Sequence, residues 1–328
     1  MKARLALRQL GTLLTLFVAL LLSGCNGGSP VSASSPWKGT AKLKVLTTIV
    51  PISCLTANIA GNDAEVLCLM TVHGPHDFQP TEEDTRLLSE ADLFIANGLG
   101  LEDFLDGMLK NADNKRLKVV RAGNFIPVEM RIHADGKPHY HGDKLVTHSG
   151  ADPHVWLGVE EAKHMVDGVA SALADRDAAH AEGYQKRAKE TKERLDKLTE
   201  LARSIPQNKG GLVTFHDSFR YFGRSFHIDI VGTIRDVRGE HDISPAALRE
   251  QAEEFKKKGV HVIGVEPQYP RGIAQNLAKE IDPAKTRLID LDPIETGQSL
   301  PGEPYKVDKN FYFKKMEENL QHLRNAFE

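Results

Sequence analysis

Residues 74–81 read Gly-Pro-His-Asp-Phe-Gln-Pro-Thr, a turn-rich stretch whose single histidine, His76, comes shortly after the apolar run Val66–Met70. An apolar run bounded by turn residues reads as a strand, here Glu65–Met70. Upstream, Lys44–Val50 is a second such run, stopped by Pro51, and Ser53–Ala60 reads as a short helix ended by Gly61. Downstream, Thr81 followed by Glu82, Glu83 and Asp84 is an N-cap with an acidic first turn, opening a helix to about Glu90. Ala91–Ala96 is a third strand, Glu102–Lys110 a helix and Leu117–Val120 a fourth strand. Strands alternating with helices imply a parallel sheet covered on both faces. Ligands of such sheets bind beyond the carboxyl ends of the strands, and His76 falls at that edge.

The alternation stops at Glu129–Gly150, which carries His133, His139, His141 and His148 among Gly136, Pro138 and Gly142 and reads as a loop. Val159–Leu173 is helical in pattern. Asp177–Ser204 is a longer helix with Tyr184, Leu195, Leu198 and Leu201 near helical spacing, stopped by Pro206. A long, charged, uninterrupted helix between two α/β segments acts as a rigid spacer. The alternation then resumes. Gly211–Phe215, His227–Val231, Val260–Val265 and Arg287–Leu291 read as strands. Ser244–Lys258 reads as a helix with Pro245 in its first turn, Gly272–Glu280 as another, and Phe311–Leu323 as a closing amphipathic helix. Gln298–Tyr305, with Pro301 and Pro304, reads as a mobile tip. The expected fold is therefore α/β, with two Rossmann-like lobes, each a mainly parallel sheet flanked by helices. The lobes are expected over 43–176 and 207–328, joined by one long rigid backbone helix over 177–206.

Bulk composition agrees. A chain of 328 residues suits two domains. Its 41% hydrophobic and 27% charged residues describe a soluble globular protein. A net charge of −3 and the lack of a Lys/Arg stripe leave no footprint for nucleic acid. At the N-terminus, Lys2, Arg4 and Arg8 precede the apolar run Leu10–Leu22, which ends in Leu22-Ser23-Gly24-Cys25. That is a secretory signal, too short for the roughly 20 residues that span a bilayer. Its ending resembles a bacterial lipobox, which implies that 1–25 is a lipoprotein signal peptide and that Cys25 is acylated. Residues 26–42, rich in Gly, Ser and Pro, would be a flexible tether. One acyl chain anchors weakly, so the resemblance implies a multiply acylated cysteine. The expected location is extracytoplasmic, lipid-anchored on the periplasmic side or the cell surface. Outside the cytoplasm thiols tend to pair. A disulfide between Cys54 and Cys68 is expected, with two buried unpaired thiols as the alternative. A zinc site built from these cysteines with His73 and His76 is disfavoured, because Cys54 and Cys68 lack a short knuckle spacing.

His76, His216 and Asp292 each follow an apolar strand, and His154 stands in Asp152-Pro153-His154-Val155-Trp156. Imidazoles with a carboxylate suit a borderline divalent ion such as zinc. Asp152 and Asp217 flank His154 and His216 and are placed to receive a ring N–H. Singly these are weak signals, since a histidine after a strand is usually a polar loop residue, and no HExxH or CxxC spacing is present.

Taken together, GPHDFQPT (Gly74–Thr81), DPHVWL (Asp152–Leu157), FHDSFRYFGRSF (Phe215–Phe226) and Leu291-Asp292-Pro293-Ile294 before a C-terminal helix resemble a known family. They are similar, in this order, to the motifs of the bacterial zinc- and manganese-binding proteins of metal ABC transporters, the ZnuA/TroA type. The resemblance spans nearly the whole chain from Lys44. It implies one metal between two lobes, held by His76, His154, His216 and Asp292. Asp290 rivals Asp292, and His73 is a weaker rival of His76. The segment with His133, His139, His141 and His148 corresponds to the family's histidine-rich loop, an auxiliary metal collector or else a solvated polar loop. His241 reads as exposed, and Glu266, after a strand, as a neighbour of the site or a rim group. The implied function is not enzymatic: a monomeric binding protein that captures Zn2+ and delivers it to a membrane permease. Manganese (or iron) is the alternative cargo. A zinc hydrolase would need an open coordination position and a general base, for which Glu266 or Asp217 would have to serve; an adhesin role has no sequence feature behind it.

Overall fold

The computed structural model describes residues 35–38, 42–75, 78–134, 136, 139–141, 144–146, 150–206, 210–234 and 243–328. The first half builds β1 (Leu43–Ile49), α1 (Val50–Ala60), β2 (Ala64–Met70), α2 (Glu82–Glu90), β3 (Leu93–Ala96), α3 (Leu105–Ala112) and β4 (Lys118–Arg121). These strands form one parallel sheet in the order β2-β1-β3-β4. β1 is interior, and its residues Val45 to Ile49 are all buried, as expected of a parallel strand covered on both faces. Thr81 caps α2 as anticipated: its hydroxyl accepts the Asp84 N–H, and the Asp84 carboxylate accepts the Thr81 N–H at 2.8 Å.

The stretch read as a loop over 129–150 contains a short antiparallel pair, β5 (His139–His141) and β6 (Lys144–Val146), with His141 opposite Lys144. Next come α4 (Val159–Arg176) and α5 (Ala181–Ala202). The long helix expected from Asp177 is interrupted at its start, because Asp177 has a non-helical backbone (φ −142°, ψ 73°). Its carboxylate accepts the Tyr184 hydroxyl at 2.7 Å.

The second half contains β7 (Gly211–Thr214), α6 (Arg220–Phe226), β8 (Ile230–Thr233), α7 (Pro245–Lys257), β9 (Val260–Val265), α8 (Arg271–Ile281) and β10 (Arg287–Asp290). β11 (Ser299–Leu300), β12 (Glu303–Val307) and α9 (Phe311–Phe327) complete it. β10-β9-β7-β8 is a second all-parallel sheet. Helix α6 escapes the sequence pattern because it is only two turns long. His227, expected to start a strand, instead ends this helix in the left-handed region (φ 55°), and its N–H bonds to Gly223 O. Gln298–Tyr305 is no free tip. It folds as the β11–β12 hairpin, and Thr71 ties it to the first sheet by donating to Pro304 O (3.1 Å) and accepting from the Ser299 hydroxyl (2.9 Å).

The two sheets share one core. A continuous set of buried side chains runs from Val45 and Leu67 through Leu195 and Leu198 to Leu212, Phe222, Leu291 and Tyr312, while Val213, Ile263 and Leu277 belong to a smaller cluster in the second half. Helix α5 is therefore more than a spacer: Tyr184, Ala188, Thr191, Leu195, Leu198 and Ala202 are buried where it packs on α4, α1 and α9. Arg187 on α5 donates to the Ile59 and Ala60 carbonyls (2.6 and 3.1 Å) and pairs with Asp63. It thereby satisfies two of the orphan acceptors at the end of α1. The C-terminal segment then returns to the first half. Asn58 Nδ2 donates to Lys309 O at 2.7 Å, the Tyr312 hydroxyl donates to Trp156 O at 2.7 Å, and Arg194 lies 3.8 Å over the Phe313 ring.

The expected disulfide requires correction. Cys54 and Cys68 are free and buried. Each thiol is engaged by backbone, Cys54 donating to Asp308 O and Cys68 to Met70 O, both at 3.4 Å. Burial pushes both pKa values up to about 12, so neither is a thiolate nucleophile. No helix of the described residues is long and apolar enough to cross a membrane.

Because the core is shared, Leu195→Ala should weaken the whole molecule by about 2–5 kcal/mol. Urea unfolding followed by tryptophan fluorescence and by far-UV circular dichroism should give one coincident transition. Two separated transitions would show that the lobes fold independently.

Candidate metal centre

The site is assembled from strand ends. Asn97, just past β3, donates its amide to Pro153 O at 2.9 Å and so fixes the loop that carries His154. Glu102 holds Asn97 in place by accepting the Asn97 and Gly98 N–H groups (2.7 and 2.9 Å) and the Thr48 hydroxyl (2.8 Å). Asp152 Oδ1 accepts the His154 N–H (2.9 Å) and stands 2.8 Å from His154 Nδ1. In the second half His216 follows β7. Glu266, just past β9, accepts the Phe215 and His216 N–H groups (2.7 and 3.0 Å) and lies 2.6 Å from His216 Nδ1. A carboxylate on each Nδ1 orients the ring and, once the ring is neutral, fixes the tautomer that leaves the Nε2 lone pair free for a metal. Those two Nε2 atoms face each other at 3.4 Å.

A third ligand atom joins them. Glu295 Oε1 lies 3.4 Å from His154 Nε2 and 3.2 Å from His216 Nε2, and all three side chains are buried. The turn that presents Glu295 is held from several sides. Asn319 bonds both Asp292 N–H and Asp292 O (2.9 and 2.8 Å), and the Trp156 indole donates to Pro293 O at 2.8 Å. Asp292 Oδ1 accepts the Ile294 N–H at 2.8 Å. Ile294 itself sits at φ 63°, a left-handed conformation that β-branched residues rarely adopt.

Of the residues singled out from sequence, the structure brings His154 and His216 together. His76 lies outside the described residues. Its chain nonetheless approaches: a Cβ on Gly74, two residues earlier, would stand 3.9 Å from Glu295 Oε2. Asp292 is adjacent but not in the converging group. Besides accepting the Ile294 N–H, its carboxylate lies 3.8 Å from Lys315 Nζ, and burial pushes its pKa up. Asp290 is exposed and paired with Arg271. Asp217, read as a ring partner of His216, lies 3.6 Å from Arg220 instead, and Glu266 holds the ring. His73 and His133 are exposed, and His139 and His141 lie on β5. His148 and His241 lie outside the described residues. Glu295 stands five residues past the end of β10, too far from the strand end for its position in the sequence to mark it as a ligand.

Three carboxylates around two buried imidazoles dominate the electrostatics. Burial alone would push the His216 pKa down; Glu266 and Glu295 reverse this and hold it at about 10. At His154 burial again lowers the pKa, but the charge and hydrogen bond of Asp152, with a contribution from Glu295, leave it raised. The pocket thus favours a cation, whether protons on the rings or a metal ion. The donor set fits a metal. In a tetrahedron with zinc–nitrogen bonds of about 2.0–2.1 Å, ligand atoms stand about 3.3–3.4 Å apart, close to the 3.2–3.4 Å separations seen here.

Comparison with known proteins gives the context. The family model described as ZnuA, zinc-uptake complex component A, periplasmic, matches residues 45–326. The manganese ABC transporter substrate-binding lipoprotein PsaA of Streptococcus pneumoniae serotype 4 is 29% identical over 327 residues, covering 96% of this chain and 99% of PsaA. The zinc-binding lipoprotein AdcA of Streptococcus pneumoniae is 28% identical over 313 residues, covering 94% of this chain but 60% of AdcA. The structure of the periplasmic zinc binding protein TroA from Treponema pallidum superposes with a TM-score of 0.69 at 26% identity, covering 87% of this chain and 99% of TroA.

The His216 pKa sets a pH signature. It is raised from the ordinary value near 6.5 to about 10 in the metal-free protein. Its contribution to stability is therefore fully present below about pH 6.5 and is lost as pH rises through about 10. The thermal midpoint of the metal-free protein should fall across that window, while metal affinity rises as the competing proton leaves. Calorimetry at pH 7 in two buffers of different ionisation heat should reveal net proton release on zinc binding. Heats that do not depend on the buffer would contradict the protonated-ring description.

Proposed function

The chain belongs to the ZnuA family of metal-binding components of ABC transporters, and on that footing we propose that it captures Zn2+ outside the cytoplasm and hands it to a membrane permease. The family is one of substrate-binding proteins and not of enzymes. The observation that carries the proposal is the buried triad of His154, His216 and Glu295, with each ring backed by a carboxylate. His76 would complete four ligands, reached through the segment that passes Glu295 at Gly74. Glu295 takes the carboxylate position here in preference to Asp292, because its oxygen is the one facing both rings, while Asp292 braces the turn.

A set of four protein ligands leaves no position for an activated water, which favours holding over chemistry. Two nitrogens in hand, with His76 as the third, would favour zinc over harder ions. Manganese is the second reading, since the similar lipoprotein PsaA carries that metal in its name. Residues 129–150, with His133, His139, His141 and His148, would be an auxiliary collector. Cys25 would carry the lipid, leaving the binding unit, a monomer, on a tether over 26–42.

The test is a competition titration of the metal-free domain against a chelator of known affinity, with zinc and with manganese. One tight zinc per chain and much weaker manganese is expected. His154→Ala and Glu295→Ala should each weaken zinc at least 10- to 100-fold while the far-UV spectrum is kept, and Asp292→Ala should cost less than Glu295→Ala. Unchanged affinity in His154→Ala would remove the site assignment, and tight manganese with weak zinc would move the cargo to manganese.

A further inference from the structure

Helix α6 begins four residues after His216, yet its side chains do not stay in their own half of the molecule. Arg220 donates to His133 O (2.9 Å) and Arg224 to Met130 O (2.7 Å). Between them, the buried Tyr221 hydroxyl accepts the Ile132 N–H at 2.9 Å and donates to Asp152 O at 3.1 Å. Ile132 and Asp152 are the two sides of the stem from which the histidine-bearing segment departs. The stem is closed by Asp152 N–H to Ile132 O (2.8 Å) and Ala134 N–H to Gly150 O (2.9 Å). One hydroxyl therefore spans the base of that segment.

The far end of the same path is a metal ligand. Asp152 is the residue whose carboxylate holds the His154 ring and main-chain N–H. A closed circuit results: from His216 along the backbone to Tyr221, through its hydroxyl to Asp152, through the Asp152 carboxylate to His154, and across 3.4 Å back to His216. A ring of this kind fixes the distance between two ligands contributed by different sheets. An error at the hydroxyl appears as an error in the Nε2–Nε2 spacing, where metal coordination tolerates little.

We infer that Tyr221 is a positioning residue for metal binding, its hydroxyl setting His154 against His216 and tying the base of the histidine-bearing segment to the site. The inference rests on the metal-site reading above and adds to it a residue that touches no metal. Half-buried Arg220 and exposed Arg224 bond the carbonyls of His133 and Met130; Tyr221 makes the buried link.

Tyr221→Phe removes the oxygen and keeps the ring. In the metal-free domain, zinc affinity by chelator competition should fall about tenfold, the scale for groups that orient metal ligands. The visible absorption of the cobalt(II)-substituted variant should shift from that of the unaltered protein, reporting altered ligand geometry. Tyr184→Phe is the control. It removes another buried tyrosine's hydrogen bond, from the long helix to Asp177 just before it, and should lower the thermal midpoint without changing zinc affinity or the cobalt spectrum. If Tyr221→Phe behaves like Tyr184→Phe, its hydroxyl only stabilises the fold and the inference is overturned. If the unaltered protein takes up no tight zinc or cobalt, the site reading falls and the inference falls with it. Tight binding by the unaltered protein that Tyr221→Phe matches removes the inference alone.

Discussion

Two imidazole rings with less than 2% of their surface exposed face each other at 3.4 Å in the interior, and most of the surrounding architecture answers to that constraint. Two rings cannot be buried nitrogen to nitrogen without an orienting partner behind each and a counter-charge close by. Asp152 and Glu266 supply the first, and Glu295 supplies the second. Each of those carboxylates is itself placed by main-chain N–H groups or by a braced turn. The polar network continues outward through Asn97, Glu102, Asn319 and Trp156 until it meets the ends of the sheets.

The second dependence is between the lobes. His154 comes from the first half and His216 and Glu295 from the second, so the site exists only while the two sheets keep one relative position. Buried apolar contact along α5 and α9 holds that position. A tyrosine hydroxyl, an indole N–H and an arginine fork cross between elements in the same region. Such aromatic and guanidinium groups bury much area while satisfying a polar partner.

The sheets were legible in the sequence because parallel strands buried on both faces are written as short apolar runs, and helices as the 3.6-residue period between them. Thr81 before three acidic residues announced its N-cap, and the structure adds the reciprocal bond from Asp84. His154 and His216 were legible through the order of the motifs around them. Less could be read where tertiary contact decides. Seven-residue α6 has no periodicity to detect, and the β11–β12 hairpin is held by Thr71, some 230 residues away in the chain. Glu295 follows Ile294, whose left-handed backbone nothing in the residue name Ile discloses. Glu266 outcompetes the nearer Asp217 for the His216 ring because two neighbouring strands of the second sheet end side by side.

The return of the C-terminal segment also bears on the order in which the molecule is completed. Cys54 bonds to Asp308 across 254 residues, and α9 lies against helices of the first half. During synthesis the first sheet emerges early, but the face that α9 covers stays open until the last residues are delivered. Contacts of such span form late, after the loop-closure entropy has been met. A nascent chain thus carries His154 and His216 well before α9 covers the first half. Asn319 on α9 also braces the turn that presents Glu295, so the same late step closes the first half and completes the cluster of His154, His216 and Glu295.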